Sequence, residues 1–173
     1  RSLRKPEKMH FLLQMYLTHT FHVSRRKKVK FRVEMQFQNK KLCIIGLGYV
    51  GLPLAIAFAE KHKVIGFDIN IPRIKELKNG FDSTLEISKP QLIAVQNSIS
   101  FTSQINDIRA SNIYIITVPT PIDGSNKPDL SALIEASSKV GLVINKGDTV
   151  IYESTVYPGV TEDVCVPEIE NSS

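Results

Sequence analysis

Residues 41–55 read Lys-Leu-Cys-Ile-Ile-Gly-Leu-Gly-Tyr-Val-Gly-Leu-Pro-Leu-Ala, and after a helical stretch residues 63–68 read Lys-Val-Ile-Gly-Phe-Asp. An apolar run, a glycine-rich turn, a helix and a second apolar run ending in an acid form the dinucleotide-binding pattern in its proper context. Gly46 permits the tight turn out of the strand, Gly48 lets backbone come close to a pyrophosphate, and Gly51 lets the helix pack against the sheet. N–H groups at the helix start, around Tyr49 and Val50, then face the phosphates with a favourable dipole. Gly46, Leu47, Gly48, Tyr49, Val50 and Gly51 are therefore candidate cofactor-binding residues.

Asp68 follows Gly46 by 22 positions, where a carboxylate can accept hydrogen bonds from the adenosine ribose hydroxyls. A carboxylate also repels a 2′-phosphate, so the expected cofactor is NAD rather than NADP. Arg73 admits two readings: a cation able to accommodate that phosphate, or a solvated position on the helix expected over 71–79.

Apolar runs and helical patterns alternate from Lys40 onward. Strands are expected at 42–45, 64–67, 99–102, 113–118 and 149–152. Helices are expected over 49–61, from Pro72 to the Asn79-Gly80 stop, within 85–95, over 130–145 with Asp129 as cap and Gly147 as close, and from Pro158-Gly159 toward Glu170. Pro53 is tolerated in the first helical turn because N–H groups there have no intrahelical partner. Residues 121–126 read as a loop. The order implies an α/β fold, a doubly wound parallel sheet of Rossmann type, whose ligands bind outside the carboxyl ends of the strands. Segments 46–51, 118–121 and 154–156 end at that edge.

Composition sets bounds. A chain of 173 residues with 42% hydrophobic content supports one domain with a real core and room for a tail, and no window reaches the apolar length of a membrane span. Residues 1–41 carry 12 lysines and arginines against 2 acids, while 42–173 carry 10 against 15, so the basic excess belongs to the N-terminal segment. That segment (1–34) is expected to be a leader outside the fold, with Met35 as start and 35–173 as the NAD-binding domain. Its Arg25–Lys30 run could serve a nucleic-acid or membrane surface, although neither partner is expected. His10, His19 and His22 lack metalloprotease spacing, and no metal is expected. Cys43 and Cys165 make no disulfide framework and fit a reducing cytoplasm; Cys43 is expected to be a small buried hydrophobe.

Five stretches carry a resemblance: Gly-Leu-Gly-Tyr-Val-Gly-Leu-Pro (46–53), Gly-Phe-Asp-Ile-Asn (66–70), Thr-Val-Pro-Thr-Pro (117–121), Lys-Pro-Asp-Leu-Ser (127–131) and Glu-Ser-Thr-Val-Tyr-Pro-Gly-Val-Thr-Glu (153–162). Together they resemble the UDP-glucose/UDP-N-acetylhexosamine dehydrogenase family, most closely the branch acting on UDP-N-acetylhexosamines for surface polysaccharides, including Vi-antigen-type enzymes. The resemblance implies an NAD-dependent, four-electron oxidation of a sugar C6 alcohol to a carboxylate, by a homo-oligomer when full length. It also implies NAD contacts from Val50, Asp68, Arg73, Thr120 (with Val118 and Pro119 beside it) and Thr155, the last positioning catalytic water near the nicotinamide. From the residues alone, the preferred reading of Thr120 and Thr155 is loop-start hydroxyls bonding local backbone.

The family's cysteine nucleophile holds the aldehyde as a thiohemiacetal with lysine and asparagine nearby. Cys165 lacks the glycine-rich surroundings expected of it, and Glu168 precedes rather than matches the family's Ser-Pro-Glu segment. The expectation is a cofactor domain truncated before the central helical and C-terminal UDP-binding domains, inactive alone. Two other readings remain: a 6-phosphogluconate or 3-hydroxyacyl-type dehydrogenase domain, which leaves 117–121 and 153–159 unexplained, and a non-catalytic nucleotide-binding remnant.

Overall fold

In a computed structural model, residues 40–122, 124 and 127–173 are described. The basic segment 1–34, the expected start at Met35 and part of the 121–126 loop lie outside the described residues.

Five four-residue strands form one sheet: β1 (Leu42–Ile45), β2 (Val64–Phe67), β3 (Ile99–Thr102), β4 (Ile113–Ile116) and β5 (Thr149–Tyr152). All pairings are parallel, in the order β3-β2-β1-β4-β5. β1 and β4 are buried at every residue, as the continuous apolar runs demand of strands covered on both faces. The chain winds outward from β1 through β2 to β3, then returns to place β4 on the other side of β1. That reversal makes a switch point between β1 and β4, where a crevice opens.

Helices α1 (Gly51–Ala59), α2 (Ile71–Lys78), α3 (Lys89–Val95), α4 (Ser131–Gly141) and α5 (Val166–Ser172) connect and follow the strands. α1 packs on β1 and β2, and α4 on β4 and α5. Alternation within the strands turns Cys43, Ile45, Tyr114 and Ile116 toward one core, with Leu133, Ala136 and Val140 of α4 and with Cys165. Among the described residues no helix is long and apolar enough to cross a membrane.

Element limits differ from the sequence expectation in informative ways. α1 starts at Gly51 rather than Tyr49, because residues 46–50 are spent on the turn, and it ends at Ala59 as Lys61 and His62 both donate to the Phe58 carbonyl. β4 stops at Ile116, although the Thr117 N–H still donates to the Ile45 carbonyl at 2.8 Å. α4 stops at Gly141, so Gly147 (φ +94°) closes the turn into β5 rather than the helix. Asp129 sits one residue outside the cap position, its Oδ1 accepting from both the N–H (2.9 Å) and the hydroxyl (2.6 Å) of Ser131. The final helix is two pieces, a π-helical turn Thr161–Cys165 and then α5.

Candidate cofactor-binding site

Register brings Ile45, Phe67, Thr102, Ile116 and Tyr152 level across the sheet. The segments leaving β1, β2, β4 and β5 therefore emerge on one edge. Leaving β1, Gly46 takes φ +91°, a conformation open to glycine at no steric cost. Its N–H donates to the Phe67 carbonyl at 2.9 Å, which ties the turn to β2.

Leu47 anchors the turn from below. Its side chain is fully buried and lies over Gly66 of β2, where an added Cβ would stand 3.1 Å from both Leu47 methyl carbons. Burying a leucine contributes roughly 2 kcal/mol, enough to hold an otherwise glycine-rich segment in one place. Gly48, Tyr49 and Val50 face outward and are exposed. The helix start at Val50 has no side-chain cap, so nothing from a side chain competes for the first-turn N–H groups.

Gly51 is a packing requirement. A Cβ there would lie 1.7 Å from the Gly46 carbonyl oxygen and 2.4 Å from Thr117 Oγ1. Thr117, at the end of β4, donates its hydroxyl toward the carbonyls of Ile45 (2.9 Å) and Gly46 (2.7 Å). It thus clamps the β4 loop to the β1 turn across the switch point.

Asp68 leaves β2 with its carboxylate on the turn: Oδ2 accepts from Leu47 N–H at 2.8 Å and Oδ1 from Asn70 N–H at 2.9 Å. It is half-buried, and each oxygen retains a lone pair for a further donor. Arg73, expected as a possible solvated position, is instead 8% exposed. Its Nε donates to the Leu47 carbonyl at 2.8 Å, and Nη1 to Asp82 Oδ1 at 2.8 Å and to Glu76. The reason for the burial is Asp82, which no short pattern announced. Its carboxylate also accepts from the Thr84, Glu86 and Ile87 N–H groups and the Thr84 hydroxyl. Burial alone would raise its pKa; the bonds from Thr84, Ile87 and Arg73 outweigh that and hold it below the usual carboxylate range. This network supports Leu85 at φ +58°.

On the far side of the crevice, Val118 and Thr120 are partly buried, whereas Pro119 and Thr155 are exposed. Ser154 Oγ donates to the Val118 carbonyl at 2.6 Å, and Thr120 Oγ1 to the Thr155 carbonyl at 2.7 Å. The β4 and β5 loops are thereby stitched together. Thr117 and Ser154 were not singled out from the sequence as site residues; their signal was a hydroxyl at each strand end, within stretches already marked.

Neither cysteine reaches this edge exposed. Cys43 lies inside β1, and Cys165 lies in the π-helical turn beside Tyr152 and Ser137; both are fully buried, and burial pushes both thiols up. A hollow of about 370 Å³ lined by Lys41, Lys63, Asn97 and Ser98 lies at the opposite ends of the strands, away from the turn.

Residues 40–173 match the family model described as UDP-glucose/GDP-mannose dehydrogenase family, NAD binding domain. The chain is 53% identical over 136 residues to a UDP-N-acetyl-D-glucosamine 6-dehydrogenase of Pseudomonas aeruginosa, covering 79% of this chain and 32% of that protein. It is 55% identical over 133 residues to the enzyme of that name from Salmonella typhi, covering 77% and 31%. Among solved structures, the UDP-D-ManNAc dehydrogenase of Pyrococcus horikoshii superposes with a TM-score of 0.72 at 38% identity, over 76% of this chain and 32% of that one. The chain therefore spans about a third of the length of these relatives.

Proposed function

Because this chain belongs to the UDP-glucose/GDP-mannose dehydrogenase family through its NAD binding domain, we propose that it holds NAD for the oxidation of a UDP-sugar C6 alcohol to a carboxylate. A UDP-N-acetylhexosamine is the favoured substrate, supported by the 53% and 55% identity to proteins named UDP-N-acetyl-D-glucosamine 6-dehydrogenase. The product would serve surface-polysaccharide synthesis in the cytoplasm. The cofactor domain is taken as 35–173, with no part played by 1–34. Assembly of several copies is the expected state of the complete protein.

The observation that carries this reading is the glycine-rich turn at the switch point with Asp68 bonded onto it. The residues present fit the cofactor: an added Cβ at Gly48 would meet nothing within 4 Å, leaving room for a phosphate to reach backbone. NAD, when bound, supplies the hydride acceptor. Gly46–Gly51 would receive its pyrophosphate, Asp68 the ribose hydroxyls, and Val118, Pro119, Thr120 and Thr155 its nicotinamide half. Thr155, exposed at the end of the β5 loop, can both donate to and accept from a water there. The buried positions of Cys43 and Cys165 support placing the reacting cysteine outside these residues.

Calorimetric titration of the 173-residue chain with NAD and NADP tests the proposal. Tighter NAD binding is expected, and Asp68→Ala should narrow the difference. Equal affinities would remove the argument from Asp68, and no binding of either would remove the reading. Incubation with NAD and UDP-N-acetylglucosamine should give no NADH from this chain alone; robust turnover would place the catalytic residues within it.

A further inference from the structure

The crevice has two walls, and each is held by bonds of its own. On the β1 side, the Gly46 N–H donates to the Phe67 carbonyl at 2.9 Å and the Leu47 N–H to Asp68 Oδ2 at 2.8 Å, above a fully buried Leu47 side chain. On the other side, Ser154 and Thr120 join the β4 and β5 loops through the Val118 and Thr155 carbonyls. The walls approach closely at Gly46 and Val118, where a Cβ added to Gly46 would stand 3.1 Å from Val118 Cγ1 and 3.2 Å from its nitrogen. Thr117 bonds one wall to the other beyond the strand ends. Its N–H donates to the Ile45 carbonyl at 2.8 Å, which carries the β1–β4 pairing one residue further. Its hydroxyl has a single proton to give. Ile45 already accepts the N–H, and the Gly46 oxygen is the nearer of the two at 2.7 Å against 2.9 Å, so the proton serves Gly46. Thr117 is buried, and a hydrogen bond shielded from water is electrostatically stronger than one exposed to it.

We infer that Thr117 is a positioning residue whose hydroxyl sets the spacing of the two walls, so that a dinucleotide spanning the crevice meets both at once. The role rests on the reading that the Gly46–Gly51 turn receives the pyrophosphate and the β4 and β5 loops the nicotinamide half. A ligand confined to the turn is indifferent to that spacing, because Phe67, Asp68 and the buried Leu47 side chain hold the turn without Thr117. A ligand that reaches both walls is not indifferent. Its own covalent length fixes the separation at which both sets of contacts form, and a crevice already held at one separation spares the cost of ordering the loops on binding.

The test compares the full 173-residue chain with Thr117→Ala and Thr117→Ser, titrating each with NAD and with ADP, which lacks the nicotinamide half. Alanine and serine differ by the hydroxyl alone, whereas the methyl of a valine would be forced to within 2.7 Å of a carbonyl oxygen. Loss of one neutral hydrogen bond predicts an NAD affinity lower by about fivefold in Thr117→Ala. ADP affinity should stay as in wild type, and Thr117→Ser should regain the wild-type NAD affinity. A merely structural role would move both ligands together, so an equal loss for ADP would overturn the inference. Unchanged NAD affinity in Thr117→Ala, or no recovery in Thr117→Ser, would overturn it too. So would a wild-type chain that binds NAD no more tightly than ADP, since the second wall would then contribute nothing. Should Thr117→Ala not fold, proton magnetic resonance of the wild-type chain decides. The Thr117 hydroxyl proton is expected to exchange slowly enough to be observed, and exchange as fast as that of the exposed Thr155 hydroxyl would overturn the bond on which the role depends. A wild-type chain that binds neither ligand would overturn the cofactor reading and this inference with it, whereas a failure confined to the Thr117 variants would leave that reading standing.

Discussion

Gly51→Ala and Gly48→Ala add the same methyl group to the same turn and should do opposite things. At Gly51 the new carbon would stand 1.7 Å from the Gly46 carbonyl oxygen, 2.9 Å from its carbon and 2.4 Å from Thr117 Oγ1. Ordinary non-bonded contact needs roughly 3.5 Å, so turn and helix must separate by well over an ångström. The obstacle is backbone, which no rotamer change can remove. Thr117 must move too, at the expense of its bonds to the Ile45 and Gly46 carbonyls. Overpacking costs about 1–3 kcal/mol and a lost hydrogen bond about 1 kcal/mol, together about 2–4 kcal/mol from a total stability of about 5–15 kcal/mol. Urea unfolding of the full chain, with an m-value of about 1–3 kcal/mol/M, should show a midpoint lower by about 1–2 M. At Gly48 nothing lies within 4 Å of the added carbon and the backbone is not left-handed. Gly48→Ala should leave the midpoint in place or raise it slightly, while NAD affinity falls more than about tenfold because the methyl occupies the approach to backbone. A Gly51→Ala chain as stable as wild type would refute the packing argument, and a Gly48→Ala chain with full NAD affinity would refute the approach argument.

Asp82 titrates below its ordinary range when folded, so it contributes stability that is present above the normal carboxylate pKa of about 3.9 and lost as pH falls through the depressed folded value. Asp82→Asn should be less stable at pH 7 and show a shallower acid transition by circular dichroism. At the other extreme, burial pushes the phenols of Tyr114 and Tyr152 up to about 12. Their stabilisation is complete below the unfolded tyrosine value of about 10 and declines as pH rises toward the folded one. An ultraviolet titration should show these two ionising late, in step with alkaline unfolding, and Tyr114→Phe should flatten that step. Ser154→Ala removes the bond to the Val118 carbonyl and should cost about 1 kcal/mol in a urea melt, with weaker NAD binding; unchanged affinity would uncouple the β5 loop from the site.

The stretch from Lys41 to Asp68 was legible because its logic is local. A run of four apolar residues, a turn requiring glycine and an acid closing the next strand lie within a span that one supersecondary unit covers. Alternation of such runs with helical patterns likewise announced the parallel sheet, and with it the edge at which to look. Helix and strand limits were less legible, since they depend on neighbours: α4 ends where Gly141 meets the backbone at Ile169 and the side chain of Ser172. The state of Arg73 was not legible at all. Its partners stand 26 residues before it at Leu47 and 9 after it at Asp82, and periodicity carries no information about which distant carboxylate a guanidinium will find. The amino-acid order by itself determined a dinucleotide-binding α/β unit with an acid closing its second strand. Tertiary structure alone decided which side chains grip the turn, because burial and hydrogen bonding are properties of residues brought together only when the sheet closes over them.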